Sequence, residues 1–225
     1  MVAGGIYTLL IIRHLESEKN ILNQFSSTDD VEQLTAKGLK QGEEVAKAIY
    51  DFIVSNGLSV TNVYCANSRR AKLTATYIAK VLGVNIMAFD ELRSNNSGEL
   101  KGKAEGEAWE INPLFMKQLS LFRAGIFSSY DFVKISERED KHEFEFRVMQ
   151  CIESILKIDS GTLQVIVLHH SSLTATIIYY ARKYYNYPMS FYGHIACELG
   201  NIYLIDNKDI LLCNEPASKL LEVKI

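Results

Sequence analysis

Two apolar runs in this chain end in histidine. Leu9-Leu10-Ile11-Ile12 leads into Arg13-His14, and Val165-Ile166-Val167-Leu168 leads into His169-His170-Ser171-Ser172, so three of the five histidines occupy these two tips. Arg70, in the stretch Asn67-Ser68-Arg69-Arg70-Ala71, follows the short run Val63–Cys65 and opens an amphipathic segment. An arginine at a helix start opposes the helix dipole and calls for a compensating anion. Guanidinium offers fixed N–H forks that match phosphate oxygens two at a time, and imidazole serves as a nucleophile or as a cationic donor. Gathered in one place, these groups would bind or transfer a phosphoryl group. The sequence contains no GxxxxGK[ST], no GxGxxG and no clustered Asp pair for magnesium, so the expected phosphate site uses neither metal nor cofactor.

The elements that would position these groups follow from the patterning. Short β-branched runs at Tyr7–Ile12, Asn62–Cys65, Asn85–Phe89, Leu163–Leu168 and Asn201–Ile205 alternate with longer amphipathic stretches. Those stretches are Lys37–Ser55, Arg70–Leu82, Glu143–Leu156 and Ser172–Tyr184. The alternation predicts an α/β fold, a three-layer sandwich with a largely parallel central sheet flanked by helices. Thr35 is the predicted N-cap of the first long helix, with Leu39, Val45, Ala48, Ile49, Phe52 and Ile53 near one face. The segment at about 102–141 breaks the alternation and reads as an inserted helical lid in one domain spanning 1–225. In open α/β sheets ligands bind beyond the carboxyl ends of the strands, where following helices present their N-termini, and both histidine tips lie there.

Composition narrows the remaining classes. With 24 basic and 27 acidic residues, the net charge of -3 offers no global attraction to nucleic acid or an anionic membrane, so the partner is expected to be a small molecule. The longest early apolar run is too short to cross a bilayer and lacks signal-peptide features, making a cytoplasmic protein the expectation. Cys65, Cys151, Cys197 and Cys213 show no metal-ligand spacing and read as free thiols.

"RHLESEKN" (residues 13–20) resembles the Arg-His-Gly-Glu-Ser/Thr-x-x-Asn signature of the histidine phosphatase superfamily, the phosphoglycerate-mutase-like proteins. Three further segments fall in that family's order: "LTAKGLKQ" at Leu34–Gln41, "RAKLTA" at Arg70–Ala75, and "VLHHSS". The resemblance implies a phosphoglycerate-mutase-like fold and a metal-independent phosphomonoesterase acting on a small phosphate ester. It implies His14 as the nucleophile that becomes phosphorylated. It places Arg13, Arg70 and His170 on the three equatorial oxygens, with Asn20 and Ser17 assisting and the Ser171 amide available to donate.

The sequence also departs from the family. Leu15 replaces the usual glycine, Ala66-Asn67 stand where Ser-Pro is common, and Ser94 in "LRSNNSGELKG" occupies the position of the family's general-acid Glu, with Glu91 and Glu99 nearby but out of register. A phosphate-binding module with the same fold and little turnover is therefore a second reading. A mutase is a third, although the continuation "NILNQFSSTDD" lacks the pattern of cofactor-dependent mutases. Trp109, Phe115, Phe122, Phe127 and Tyr130 in the lid suggest an organic leaving group.

Overall fold

The computed structural model of the chain describes residues 8–25, 33–126, 133–158, 162–188, 194–207 and 209–225. Strand β1 (Thr8–Arg13) leads through the short helix α1 (Glu18–Leu22) to α2 (Ala36–Asn56). Then come β2 (Asn62–Ala66), α3 (Arg69–Leu82) and β3 (Asn85–Phe89). The insertion contributes α4 (Glu105–Ile111) and α5 (Pro113–Arg123), and the chain closes with α6 (Lys141–Ile158), β4 (Leu163–Leu168), α7 (His170–Tyr185), β5 (Ile202–Asp206) and β6 (Asp209–Glu215). The sheet order is β3-β2-β4-β1-β5-β6. The first four strands run parallel, while β5 and β6 are antiparallel additions at one edge.

Burial explains the composition of the strands. All six residues of β4 are buried and so are the first five of β1, because helices cover both faces of a parallel sheet. The chain moves outward from β1 to β2 to β3 and then returns to β4. Right-handed crossovers therefore place α2 and α3 on one face and α6 on the other, where α2 packs against α3 and α6 against α7. The β6 strand, which the sequence patterning did not announce, has only exposed and half-exposed residues, as suits an edge.

Helix α2 starts as expected: the Thr35 hydroxyl accepts from the Gly38 amide at 3.0 Å. Its buried face differs at the first turns, where Gly38 and Gly42 are inside and Leu39 is 41% exposed. The loop after β1 presses onto that face. Leu15 fills the notch beside Gly42 and Gly200, where added Cβ atoms would lie 3.0 and 3.4 Å from its methyl groups, so the departure from the family glycine is absorbed by packing.

The insertion carries a small core of its own, built on Leu100, Ala108, Phe115, Met116 and Ile135. Asn112 caps α5 by accepting from the Phe115 amide at 3.0 Å, with Pro113 in the first helical position. These helices form the lid. Trp109 is largely exposed on it, whereas Phe115 and Phe122 are buried; Phe127 and Tyr130 lie outside the described residues. Among the described residues no helix is long and apolar enough to cross a membrane.

Replacing an interior helical glycine by alanine normally stabilises a helix by up to about 1 kcal/mol. At Gly38 the sign should reverse, because a Cβ would sit 2.1 Å from the Glu16 carbonyl oxygen. Gly38→Ala is expected to cost about 1–3 kcal/mol in urea unfolding, the usual range for an overpacked site.

Candidate active site

Register decides which residues meet at the strand tips. Arg13 pairs with Leu168 across β1 and β4, and the His14 amide donates to the Leu168 carbonyl at 2.9 Å. The next residues off the two tips are thus His14 and His169, whose ring centroids stand 5.1 Å apart. The sequence-based assignment of His170 as the partner of His14 shifts by one residue: His170 is already in the first turn of α7, its Nε2 donating to the Ile195 carbonyl at 2.8 Å. It still lines the same cavity.

Arg70 joins the two rings. Its Nε donates to His14 Nε2 at 3.2 Å and its Nη2 to His169 Nδ1 at 3.1 Å, with all three side chains buried. Because guanidinium only donates, both imidazole atoms facing it must be unprotonated. The opposite nitrogens settle the tautomers. His14 Nδ1–H donates to the Leu15 carbonyl at 2.8 Å, and His169 Nε2–H to the Ser68 hydroxyl at 3.0 Å. Burial, reinforced by Arg70, holds both imidazoles well below their ordinary value of 6.5, so both are neutral near pH 7. His14 therefore presents a lone pair at Nε2 to the centre of the site.

The motif segments serve to hold this geometry. Thr35 binds both the backbone and side chain of Glu16: its amide donates to the Glu16 carbonyl at 3.1 Å and its hydroxyl to Oε1 at 2.8 Å. Gln41 accepts from the Glu16 amide at 3.2 Å and donates to the Leu199 carbonyl at 3.3 Å. Thr74 accepts from the Leu15 amide at 3.1 Å while donating to the Arg70 carbonyl at 2.8 Å, which locks the β1 loop to α3. Ser68 caps α3 and supports His169 at once.

A cavity of about 550 Å³ opens over these groups. Of the residues expected from sequence, Arg13, His14, Asn20, Arg70, Ser94, His170 and Ser171 line it. Ser17 does not; it is fully buried and acts behind Asn20, whose Oδ1 accepts from the Ser17 hydroxyl at 2.7 Å and amide at 3.0 Å. That leaves the Asn20 NH2 as the group able to donate into the cavity. The Arg13 Nη1 donates to the Cys197 carbonyl. Ser171 ties the 94–97 loop to α7 by accepting from the Asn95 amide at 3.2 Å.

Sequence reasoning placed His169 at the second strand tip but gave the role to His170, and it missed Ser68 and the lid-side cations Arg123, Arg138 and Lys141. It also missed Thr174, which lines the cavity with a buried hydroxyl that has no hydrogen-bond partner. Among the described residues no Asp or Glu lines the cavity, and both Glu91 and Glu99 are exposed elsewhere.

Imidazole nitrogen–proton correlation spectra test the electrostatics. His14 should appear as the Nδ1–H tautomer and His169 as the Nε2–H tautomer, and neither should protonate as pH falls through 6.5, the value of an ordinary imidazole.

Several known proteins share this architecture. Over 171 residues the chain is 25% identical to a 2,3-bisphosphoglycerate-dependent phosphoglycerate mutase of Thermoplasma acidophilum, covering 76% of this chain and 74% of that one. Among solved structures, YhfR of Bacillus stearothermophilus superposes with a TM-score of 0.74 at 18% identity, covering 93% of this chain and 97% of the other. A phosphoglycerate mutase of Bacillus anthracis superposes with a TM-score of 0.74 at 17% identity, covering 97% of each. At such identities the structural matches establish the fold alone. Residues 9–209 match the family described as the histidine phosphatase superfamily (branch 1), and with its phosphohistidine-type cluster of His14, Ser68, Arg70 and His169 the chain belongs to that superfamily.

Proposed function

We propose that the protein is a metal-independent phosphatase that works through a phosphohistidine at His14. The observation that carries this reading is the fixed His14 tautomer. With Nδ1–H committed to the Leu15 carbonyl, Nε2 is the only ring atom with a lone pair, and it faces the cavity beside Arg70. A phosphoryl group seated there takes over the Arg70 N–H bonds. Arg13, His169, the Asn20 amide and the first-turn amides of α7 surround its nonbridging oxygens. Phosphoryl transfer spreads charge over those oxygens, so fixed donors aimed at them supply most of the rate enhancement.

Nε2 attacks phosphorus as the bond to the leaving oxygen breaks and that oxygen takes a proton from solvent; water then attacks the phosphohistidine, its proton leaving to solvent, which releases phosphate and restores the neutral imidazole. His169 enters neutral rather than as a cation. A bound dianion favours its protonation, because opposite charge raises a histidine's pKa. Among the described residues no carboxylate lines the cavity, which favours one alternative, binding of phosphate without turnover, and a turnover assay separates the two.

With p-nitrophenyl phosphate the wild type should release phosphate without added metal and carry label on His14 when quenched in base. His14→Ala should lower turnover by roughly a thousandfold or more, the scale seen when a nucleophile is removed. Wild-type binding of vanadate with no turnover of any ester would establish the binding-module reading instead. Arg70→Lys keeps the charge and loses the planar fork, so the vanadate dissociation constant should rise by about tenfold or more. An unchanged constant would place Arg70 outside the site.

A further inference from the structure

We infer that Arg147 is a positioning residue for this site: from behind the cavity wall it sets where the loop of residues 94–97 meets the leaving group. The inference rests on the phosphatase reading above and adds to it the residue that holds the leaving-group wall.

The strand tips do not position this loop. Ser94, Asn95, Asn96 and Ser97 all line the cavity, yet the segment from Arg93 to Ser97 belongs to neither helix nor strand. Such a segment has no ladder of its own, so its backbone groups need partners from elsewhere. Arg147, on α6, supplies them. Its Nη1 donates to the Glu91 carbonyl at 2.6 Å and to the Arg93 carbonyl at 3.1 Å, and its Nη2 to the Ser94 carbonyl at 3.3 Å. The other N–H groups go to one carboxylate: Nε donates to Glu139 Oε1 at 2.5 Å and Nη2 to Glu139 Oε2 at 2.7 Å. A guanidinium carries five N–H donors in a fixed plane, and here each of the five has an acceptor.

The surroundings hold that plane in place. The buried Phe144 ring lies with its centroid 4.9 Å from the guanidinium carbon. Glu139 extends the brace by accepting from the Asn96 amide at 3.4 Å through the oxygen that already receives Nη2. Two further bonds fix the loop on its other sides, from the Asn95 amide to the Ser171 hydroxyl at 3.2 Å and from the Glu99 amide to the Ser136 carbonyl at 3.1 Å. Arg147 thus ties α6 to a loop that is hooked onto α7, while its own side chain stands outside the cavity lining.

The position of the loop assigns its role. His14, Arg70 and His169 gather at the strand tips, and in-line transfer sends the leaving group away from His14. The loop closes the cavity between the first turn of α7 and the insertion, where Asn95 Oδ1 accepts from Arg138 Nε at 3.5 Å. It therefore borders the path of the departing alcohol. Its four side chains are hydroxyls and amides, which can both donate and accept. Groups of that kind orient a substrate only when their backbone is held still.

The experiment separates the leaving-group wall from the phosphoryl pocket. In Arg147→Gln, kcat/KM for p-nitrophenyl phosphate should fall by about tenfold or more, the scale of a misplaced positioning group. Vanadate carries no leaving group, and the labelled His14 loses its phosphate after the leaving group has gone. The vanadate dissociation constant and the rate of label loss should therefore both stay within about twofold of wild type, as for sites that share no partner. Arg147→Lys keeps the charge but lacks the planar five-donor fork, and it should not restore the wild-type kcat/KM. Glu139→Gln, a milder change at a half-buried carboxylate, should show the same pattern with a fall of roughly threefold, and it decides the question if Arg147→Gln fails to fold. Unchanged kcat/KM in the variants would overturn the inference, as would full recovery in Arg147→Lys. Equal losses in all three readouts would also overturn it, since they mark a general structural defect. Failure of p-nitrophenyl phosphate to label wild-type His14 would instead bring down the phosphatase reading itself.

Discussion

Parallel pairing of β1 with β4 puts Arg13 opposite Leu168, and from that register the site follows. The first residue beyond each tip is a histidine, and the His14 amide extends the ladder by one bond onto the Leu168 carbonyl. A slip by one residue would break the contact between the rings and would also turn every apolar side chain of β1 to the wrong face. The burial of Leu9 through Ile12 on both sides of that strand therefore fixes the catalytic geometry as firmly as it fixes the core.

Arg70 makes that geometry chemically useful and also constrains it. A guanidinium buried between two imidazoles can only donate, so it imposes unprotonated nitrogens on both rings and keeps them neutral. The Leu15 carbonyl and the Ser68 hydroxyl then take the two remaining protons. Neither imidazole can ionise without leaving two donors face to face, which matches the direction of both shifts. Neutrality carries a cost in stability. The unfolded chain binds protons on these histidines at about 6.5, where the folded chain does not, so the fold loses stability as pH falls below that value.

Much of this was legible in the sequence, and what was not has a physical reason. The buried strands, the Thr35 cap and the placement of Arg13, His14 and Arg70 beside one cavity follow from periodicity and motif order. The choice between His169 and His170 does not, because the two are adjacent in sequence and only the strand register says which one leaves the tip and which enters the helix. Reading Leu168 as the partner of Arg13 would have given the answer, but register across a crossover of more than a hundred residues is not written in local pattern. Ser68 was hidden for a simpler reason: a helix cap is its ordinary role, and here the same oxygen also receives a histidine proton. Leu15 looked like a defect in the motif and proves to be core, filling space that Gly42 and Gly200 leave open.

The lid cations were the least legible, since Arg138 and Lys141 lie far from every motif and in sequence resemble any solvated charge pair. Their meaning depends on the wall that they share with Ser94 and on the small core of α4 and α5 that carries the wall. That core anchors Arg138 through the Phe115 ring, 4.8 Å beneath its guanidinium. Arg138 and Lys141 are each only half-buried on this wall, so water screens part of the repulsion between them. A fold tolerates such a local cost where the same charges act on a ligand, because binding an anion returns it as affinity.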